Sequence, residues 1–226
     1  MLTNRQLLLP YMAPYLAYVA IASLPGDILS REVNYGLRLV VVAALLVWAR
    51  RWYCCLTGPN SPAVSALWGI AAGVAGTALW IGLLAPFVSD AAEPWTGPAF
   101  VLRLFAAGLL VPVFEELMMR GYVFRVALQW GQERKKGGQA LQAALDERSL
   151  AAVGAGEWSW IAVIVSTVAF AAGHSMAEWP GAVGYGLLMC LLWVWRRDLV
   201  SCIVAHATTN IVLAAYVWTS GNWQYW

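Results

Sequence analysis

Seven apolar segments divide the sequence, and they constrain its fold more than any other feature. They lie at about residues 7–24, 35–49, 63–88, 99–128, 158–174, 180–195 and 199–219. Runs of this length are typical of helices that cross a bilayer, because a backbone in hydrocarbon must satisfy its own hydrogen bonds. The sequence therefore predicts an all-α integral membrane protein, a single bundle of about seven transmembrane helices. The second and sixth segments are short, so a count of six or eight also fits the pattern.

Composition supports this fold class and excludes one class of partner. Of the 226 residues, 61% are hydrophobic and 12% are charged, whereas soluble domains are about half apolar. The net charge is +2 and the basic residues are scattered at helix ends, so no basic patch indicates nucleic-acid binding. The length leaves no room for a separate soluble domain, so we expect one membrane domain over residues 1–226.

Lysine and arginine concentrate in alternate connections between the segments. These residues are Arg50, Arg51, Arg134, Lys135, Lys136, Arg148, Arg196 and Arg197. Opposite connections are poor in basic residues and include the acids Asp90 and Glu93. Because basic connections stay on the cytoplasmic side, the pattern predicts an N-terminus inside. We expect the bacterial inner membrane, with residues 129–157 as a solvated cytoplasmic connector that can form a short amphipathic helix.

Two adjacent acids and an arginine interrupt the fourth segment. On a helix, Glu116 and Arg120 are four residues apart and can form an ion pair, while Glu115 is rotated by about 100°. Charged groups at membrane depth usually mark function, so we expect Glu116 and Arg120 to support the site and Glu115 to act as a general base. The alternative is a salt-bridge cluster with a structural role alone.

Both histidines of the chain lie within or beside apolar segments. His206 and Asn210 are four residues apart, so together they can donate two hydrogen bonds to a developing oxyanion. Phe170 and His174 have the same spacing. This pattern predicts that His174 shares a water molecule with Glu115, which would take the proton as the water attacks a carbonyl group.

Three ordered motifs carry a resemblance to a known family. Glu-Glu-x-x-x-Arg at 115–120, Phe-x-x-x-His at 170–174 and His-x-x-x-Asn at 206–210 resemble the motifs of the CAAX protease and bacteriocin-processing family of intramembrane glutamate proteases. The resemblance covers residues 99–219, which would form the catalytic core behind N-terminal helices at 1–98.

The resemblance implies an endopeptidase that acts on a membrane-embedded protein or peptide, lipidated or not, within the lipid bilayer. Glu115 and His174 would activate water, His206 and Asn210 would stabilise the oxyanion, and Glu116 and Arg120 match the second acid and the arginine of the motif. Relatives include the eukaryotic enzyme that removes the last three residues of prenylated CAAX proteins. Bacterial relatives process peptides or accompany bacteriocin and exosortase-type sorting systems.

Two alternatives remain open from the sequence. Two histidines and a glutamate could form a zinc set for the same proteolysis, although the His-Glu-x-x-His motif is absent and we expect no cofactor. The polar cluster could instead belong to a non-enzymatic immunity or sorting partner, or to a small transporter with Glu115 as proton carrier. A transporter would be expected to show internal repeats, which the sequence lacks.

The depth of the histidines poses a geometric problem. At about 1.5 Å per residue, straight helices place Glu115 near mid-membrane and His206 about 10 Å from the cytoplasmic end, but His174 at the far end of its helix. Water activation requires Glu115 and His174 to be within hydrogen-bond reach, directly or through a water. We therefore predict that the helix carrying His174 is displaced or tilted toward the cytoplasm.

Overall fold

The protein is an assembly of eight helices in a computed structural model that describes residues 2–88 and 92–226. The helices are α1 (Asn4–Ala22), α2 (Arg31–Ala49), α3 (Pro62–Leu84), α4 (Gly97–Arg134), α5 (Ala140–Asp146), α6 (Trp160–Ala172), α7 (Trp179–Arg196) and α8 (Leu199–Ser220). Each predicted segment corresponds to one helix, and α5 lies within the predicted connector. The all-α membrane fold is confirmed. Asp90 lies outside the described residues.

Length and apolar composition together separate five of the seven helices that match predicted segments from the other two. By length and apolar composition, α2, α3, α4, α7 and α8 can each cross a membrane. In contrast, α1 has 19 residues with a polar first turn, and α6 has only 13. At 1.5 Å per residue α6 extends about 20 Å, less than the roughly 30 Å of a hydrocarbon core. The second and sixth segments form α2 and α7, which are long enough to cross, and the short helix is instead α6 of the fifth segment, which ends at the turn containing Gly173.

Two π-helical stretches, Ala106–Leu110 and Leu117–Val123, interrupt the 38-residue α4. In the first stretch the Val111 N–H donates to the carbonyl of Ala106, five residues back. The next donor in this register would be residue 112, which is a proline without an N–H, so the Ala107 carbonyl has no partner within the helix. Such π stretches are frequently found at functional sites because they redirect side chains.

Glycines set the distance between α3 and α8. A Cβ atom at Gly73 would lie 2.5 Å from the carbonyl oxygen of Ala205, and one at Gly69 would lie 2.7 Å from that of Ser201. The Thr209 hydroxyl also donates to the Gly73 carbonyl at 2.9 Å. In the sequence, the spacing of Gly69, Gly73 and Gly76 predicts that a neighbouring helix approaches α3 closely, and in the structure that neighbour is α8.

A buried carboxylate holds the start of α8 against α3. Asp198 caps α8 by accepting from the Ser201 N–H at 2.7 Å, and it also accepts from the Ser65 hydroxyl at 2.7 Å. The N–H of Leu199 donates to the Leu56 carbonyl in the connection before α3. Since both ends of this contact are buried, the register of α8 along α3 is set at its first turn.

The predicted connector is packed against the helices instead of being fully solvated. The buried Asn4 side chain of α1 donates to the Gln129 side chain at 2.6 Å and to the Ala144 carbonyl at 2.7 Å. Gln129 in turn donates to the Ser149 carbonyl at 2.8 Å. The sequence predicted the short helix in this region, now α5, but it missed these bonds because Asn4 is more than 120 residues away from its partners.

Candidate active site

A cavity of roughly 300 Å³ lies among α2, α3, α4, α7, α8 and the turn after α6. All four residues predicted to do chemistry line this cavity, namely Glu115, His174, His206 and Asn210. They come from α4, α8 and the turn after α6, so the fold brings together residues that are up to 95 positions apart. Glu116 and Arg120 lie behind the cavity wall and are fully buried.

Glu116 and Arg120 form the predicted ion pair. Nη1 of Arg120 lies 3.2 Å from both carboxylate oxygens of Glu116, and neither side chain is exposed. Nη2 of Arg120 donates to the Gly186 carbonyl of α7 at 3.1 Å, and the guanidinium lies 5.6 Å from the centre of the Phe170 ring. The pair therefore fastens α4 to α7 and keeps Glu116 ionised in an apolar setting, because a buried carboxylate needs a partner of opposite charge.

His206 lies between the two acids. Its Nδ1 is 3.0 Å from Oε1 of Glu116, and its Nε2 is 3.9 Å from Oε2 of Glu115. A carboxylate paired with an arginine can only accept, so Nδ1 must carry the proton that it donates to Glu116. Nε2 therefore faces Glu115 and the cavity. The rings of Phe170 and Tyr185 pack edge-on against the imidazole at 6.1 Å and 5.6 Å between centroids and hold its orientation.

The two adjacent acids have different surroundings. The Glu115 side chain is 15% exposed and lines the cavity, whereas that of Glu116 is 0% exposed. Among the described residues, Glu115 forms no ion pair with a lysine or arginine, and its nearest cationic candidate is His206. The sequence predicted this division because positions 115 and 116 project about 100° apart on a helix.

Asn210 is oriented by the interruption in α4. Its Nδ2 donates to the Ala107 carbonyl at 2.7 Å, and that carbonyl is free because Pro112 cannot donate to it. An amide group has two N–H donors, so the second one remains available to the cavity. The sequence indicated the His206 and Asn210 pair by its spacing, but the Ala107 contact depends on the π register of α4 and has no signal in the sequence.

His174 follows the end of α6 in a turn. Its Nδ1 donates to the Phe170 carbonyl at 2.9 Å, which leaves Nε2 as the nitrogen that can accept a hydrogen bond. The ring packs against those of Phe170 and Trp80 at 4.7 Å and 5.5 Å between centroids. His174 and Glu115 line the same cavity, as water activation requires. The tilt of α6 relative to the membrane stays a prediction.

Tyr185 and Thr209 were missed from the sequence. The Tyr185 hydroxyl donates to Oγ1 of Thr209 at 3.1 Å, and the Thr209 hydroxyl donates to the Gly73 carbonyl. This chain of bonds links α7, α8 and α3 beside His206. Tyrosine and threonine in apolar helices are usually packing residues, so their presence gave no indication of this role.

A zinc site would require three ligand side chains around one point. Within residues 2–88 and 92–226, no three histidine, cysteine, aspartate or glutamate side chains are placed together to hold a metal ion.

A family comparison adds to this geometry. The family model described as type II CAAX prenyl endopeptidase Rce1-like matches residues 97–212. The chain belongs to the Rce1-like family. The match begins with α4 and ends within α8, so it includes all three motifs and every residue predicted for the site. As an Rce1-like protein, the chain is a membrane protease of the CAAX type. No curated protein and no solved structure gives a significant match to the chain.

Proposed function

We propose that this Rce1-like protein is an intramembrane endopeptidase that hydrolyses a peptide bond near the C-terminus of a membrane-associated protein or peptide. The observation that carries this proposal is the meeting of Glu115, His174, His206 and Asn210 around one cavity between apolar helices. A base, a water-binding group and two donors around one space are the requirements for hydrolysis of an amide.

Glu115 and His174 activate the water. A water molecule held between the Glu115 carboxylate and Nε2 of His174 gives a proton to Glu115 as its oxygen attacks the peptide carbonyl carbon. The C–N bond then breaks, and Glu115 returns the proton to the departing amine. Glu115 suits this task because no arginine or lysine among the described residues neutralises it.

His206 and Asn210 stabilise the oxyanion. Nδ1 of His206 donates to Glu116, so Nε2 can donate to the oxyanion only when the ring is an imidazolium. Glu116 accepts from Nδ1 and so holds the ring with Nε2 directed at the cavity, where the oxyanion forms. Asn210 supplies the second donor through the N–H that does not bind Ala107.

The surroundings of the reaction form part of the same proposal. The substrate lies in the bilayer, with or without a lipid group, and the chain's own side chains perform the hydrolysis without a metal. We place the N-terminus on the cytoplasmic side because the basic connections lie there. The membrane of this proposal is a bacterial inner membrane. Residues 1–226 form one domain whose catalytic core spans residues 99–219.

One experiment tests the proposal directly. The C-termini of membrane proteins and peptides are compared by mass spectrometry in cells that carry wild-type protein, Glu115→Gln or Glu147→Gln. Glu147 is exposed and lies outside the cavity, so its substitution is a matched control. We expect Glu115→Gln to lower cleavage by about 10²–10⁴-fold, the range for loss of a general base, and Glu147→Gln to leave it unchanged. Intact cleavage in Glu115→Gln would favour the alternative that the chain is a non-enzymatic immunity or sorting partner or a small transporter.

A further inference from the structure

Two arginines line the cavity without a role in the proposed reaction. Arg38 of α2 and Arg103 of α4 share this cavity with Glu115 and His206. Among residues 2–88 and 92–226, neither guanidinium forms an ion pair with a carboxylate. Partly buried cations at membrane depth are costly, so their presence in the cavity points to an anion that binds there.

Arg38 is held in one orientation by its neighbours. Its guanidinium lies over the rings of Tyr35 and Tyr18, at 4.3 Å and 4.9 Å from their centroids. Its Nε donates to Oδ1 of Asn34 at 2.6 Å, and the buried Asn34 side chain donates to the Ile21 carbonyl at 2.7 Å. Since Nε is engaged and two aromatic rings pack against the guanidinium, its remaining donors are the Nη atoms.

Arg103 is held in a similar way. Its guanidinium lies 4.7 Å from the centre of the Trp95 ring and 4.5 Å from that of Trp226. The Trp95 ring also packs against Tyr35 at 5.8 Å between centroids, so the two arginines are joined through one row of aromatic rings. Stacking on aromatic faces orients a guanidinium and leaves its edge available.

We propose that Arg38 and Arg103 bind the C-terminal carboxylate of the peptide substrate. This inference rests on the proposed function, since cleavage near a free C-terminus puts a carboxylate within a few residues of the bond that breaks. At about 3.3 Å per extended residue, three residues separate the two by about 10 Å, a span that one cavity can accommodate. A guanidinium edge matches the two oxygens of a carboxylate. The arginines thereby select substrates in which the C-terminal carboxylate lies at the right distance from the bond that is cleaved beside Glu115.

Glu178 also lines the cavity, but it forms no ion pair with Arg38 or Arg103. Its Oε2 accepts from the backbone N–H and from the hydroxyl of Ser175, at 3.0 Å and 2.6 Å. Glu178 is thereby fastened in its own turn, and the arginine edges remain open to a ligand.

The test measures binding to the purified full-length protein. The probes are a pool of N-acetylated apolar tripeptides with a free carboxylate and the same pool with C-terminal amides. We compare wild-type protein with Arg38→Gln, Arg103→Gln and Arg31→Gln. Arg31 is the matched control, because its guanidinium also lies over the Trp95 ring, at 4.8 Å, but does not line the cavity.

We expect wild-type protein to bind the acids at least about tenfold more tightly than the amides, as charge-assisted hydrogen bonds allow. Arg38→Gln and Arg103→Gln should each remove most of this preference and leave amide binding unchanged, which also shows that the variants are folded. Arg31→Gln should behave as wild type. Equal affinity of wild type for acid and amide, no binding of either pool, or an equal loss in Arg31→Gln would overturn the proposal.

Two further arms distinguish a lipid phosphate from a peptide carboxylate, and the carboxylate site from the proposed function. Nanodiscs of phosphatidylcholine and of phosphatidylglycerol test a lipid phosphate: arginine-dependent retention of the anionic lipid, without an acid preference for peptides, would refute a carboxylate site. Glu115→Gln should keep the acid preference. If the acid preference holds but no Glu115-dependent cleavage occurs, the proposed function fails and the carboxylate site stands. If Glu115-dependent cleavage occurs without an acid preference, only the carboxylate site fails.

Discussion

Nδ1 of His206 lies 3.0 Å from Oε1 of the fully buried Glu116. The same ring presents Nε2 to Glu115 at 3.9 Å, so one imidazole connects the acid inside the protein with the acid that lines the cavity. A change at Glu116 or at its partner Arg120 is therefore expected to reach the cavity through His206. The consequences differ for stability and for the reaction, and they can be measured separately.

Replacing Arg120 with methionine should destabilise the protein by about 3–5 kcal/mol. The substitution leaves the Glu116 carboxylate buried without its cationic partner, and breaking one side of a buried ion pair is strongly unfavourable. Chemical unfolding in detergent measures the loss. The double variant Glu116→Leu with Arg120→Met should recover part of it, because two apolar side chains leave no unpaired charge. A single variant as stable as wild type would contradict the buried pair.

Replacing Asn210 with alanine should lower the turnover rate by about 10²–10³-fold, the usual effect of losing one oxyanion donor. Substrate binding should change little, since the donor acts on the transition state. The Ala107 carbonyl also loses its partner, so rates are compared well below the unfolding temperature of the variant. Asn222→Ala is the control, because that residue lies beyond α8 and outside the cavity. Equal turnover in Asn210→Ala and wild type would remove Asn210 from the oxyanion site.

Replacing Gly73 with alanine should push α8 away from α3 and destabilise the protein by about 1–3 kcal/mol, the usual cost of overpacking. The added Cβ would lie 2.5 Å from a backbone oxygen, which cannot move aside as a flexible side chain can. Gly82→Ala in the same helix has no atom within 4 Å of the new Cβ and should be neutral or stabilising. Thermal unfolding of the two variants gives the comparison. Similar unfolding temperatures would indicate that the two helices are not in close contact at Gly73.

The pH dependence of the α1 to α5 contact follows from Asp146. Hydrogen bonding and charge attraction from Arg5 lower the pKa of the exposed Asp146 carboxyl below its ordinary value of 3.8. The ion pair therefore contributes fully above pH 3.8, and its contribution is lost as the pH falls through the lowered pKa. Hydrogen exchange of residues 140–146 should rise over that range, after correction for the intrinsic rate. Asp146→Asn should abolish this additional rise, whereas an unchanged profile in the variant would exclude the pair as its cause.

Removing metal ions should leave cleavage intact. The proposed steps use only Glu115, His174, His206 and Asn210, and no group of ligands among the described residues is placed for a metal. Purified enzyme is treated with a chelator, washed, analysed for metal and assayed on the peptide substrate. Loss of cleavage that returns with zinc would establish the zinc-dependent alternative instead.

The sequence was sufficient for features that depend on local spacing. Apolar segments predicted the helices because hydrocarbon leaves a backbone few alternatives. The spacing of four between Glu116 and Arg120 predicted their ion pair, and the glycine spacing of α3 predicted a close helix contact. It failed for α6, which is shorter than predicted, and for the connector, which Asn4 anchors through bonds to residues far along the chain.

The sequence by itself determined which residues can do chemistry, because two histidines and a pair of acids stand out in an apolar chain. Only the tertiary structure decided that Glu115, His174, His206 and Asn210 line one cavity, since their helices meet through contacts of long sequence separation. It also decided the orientation of Asn210, through a carbonyl released by the π register before Pro112. The positions of Arg38 and Arg103 likewise depend on rings from α1, α2 and the C-terminus, and no local pattern encodes such a meeting.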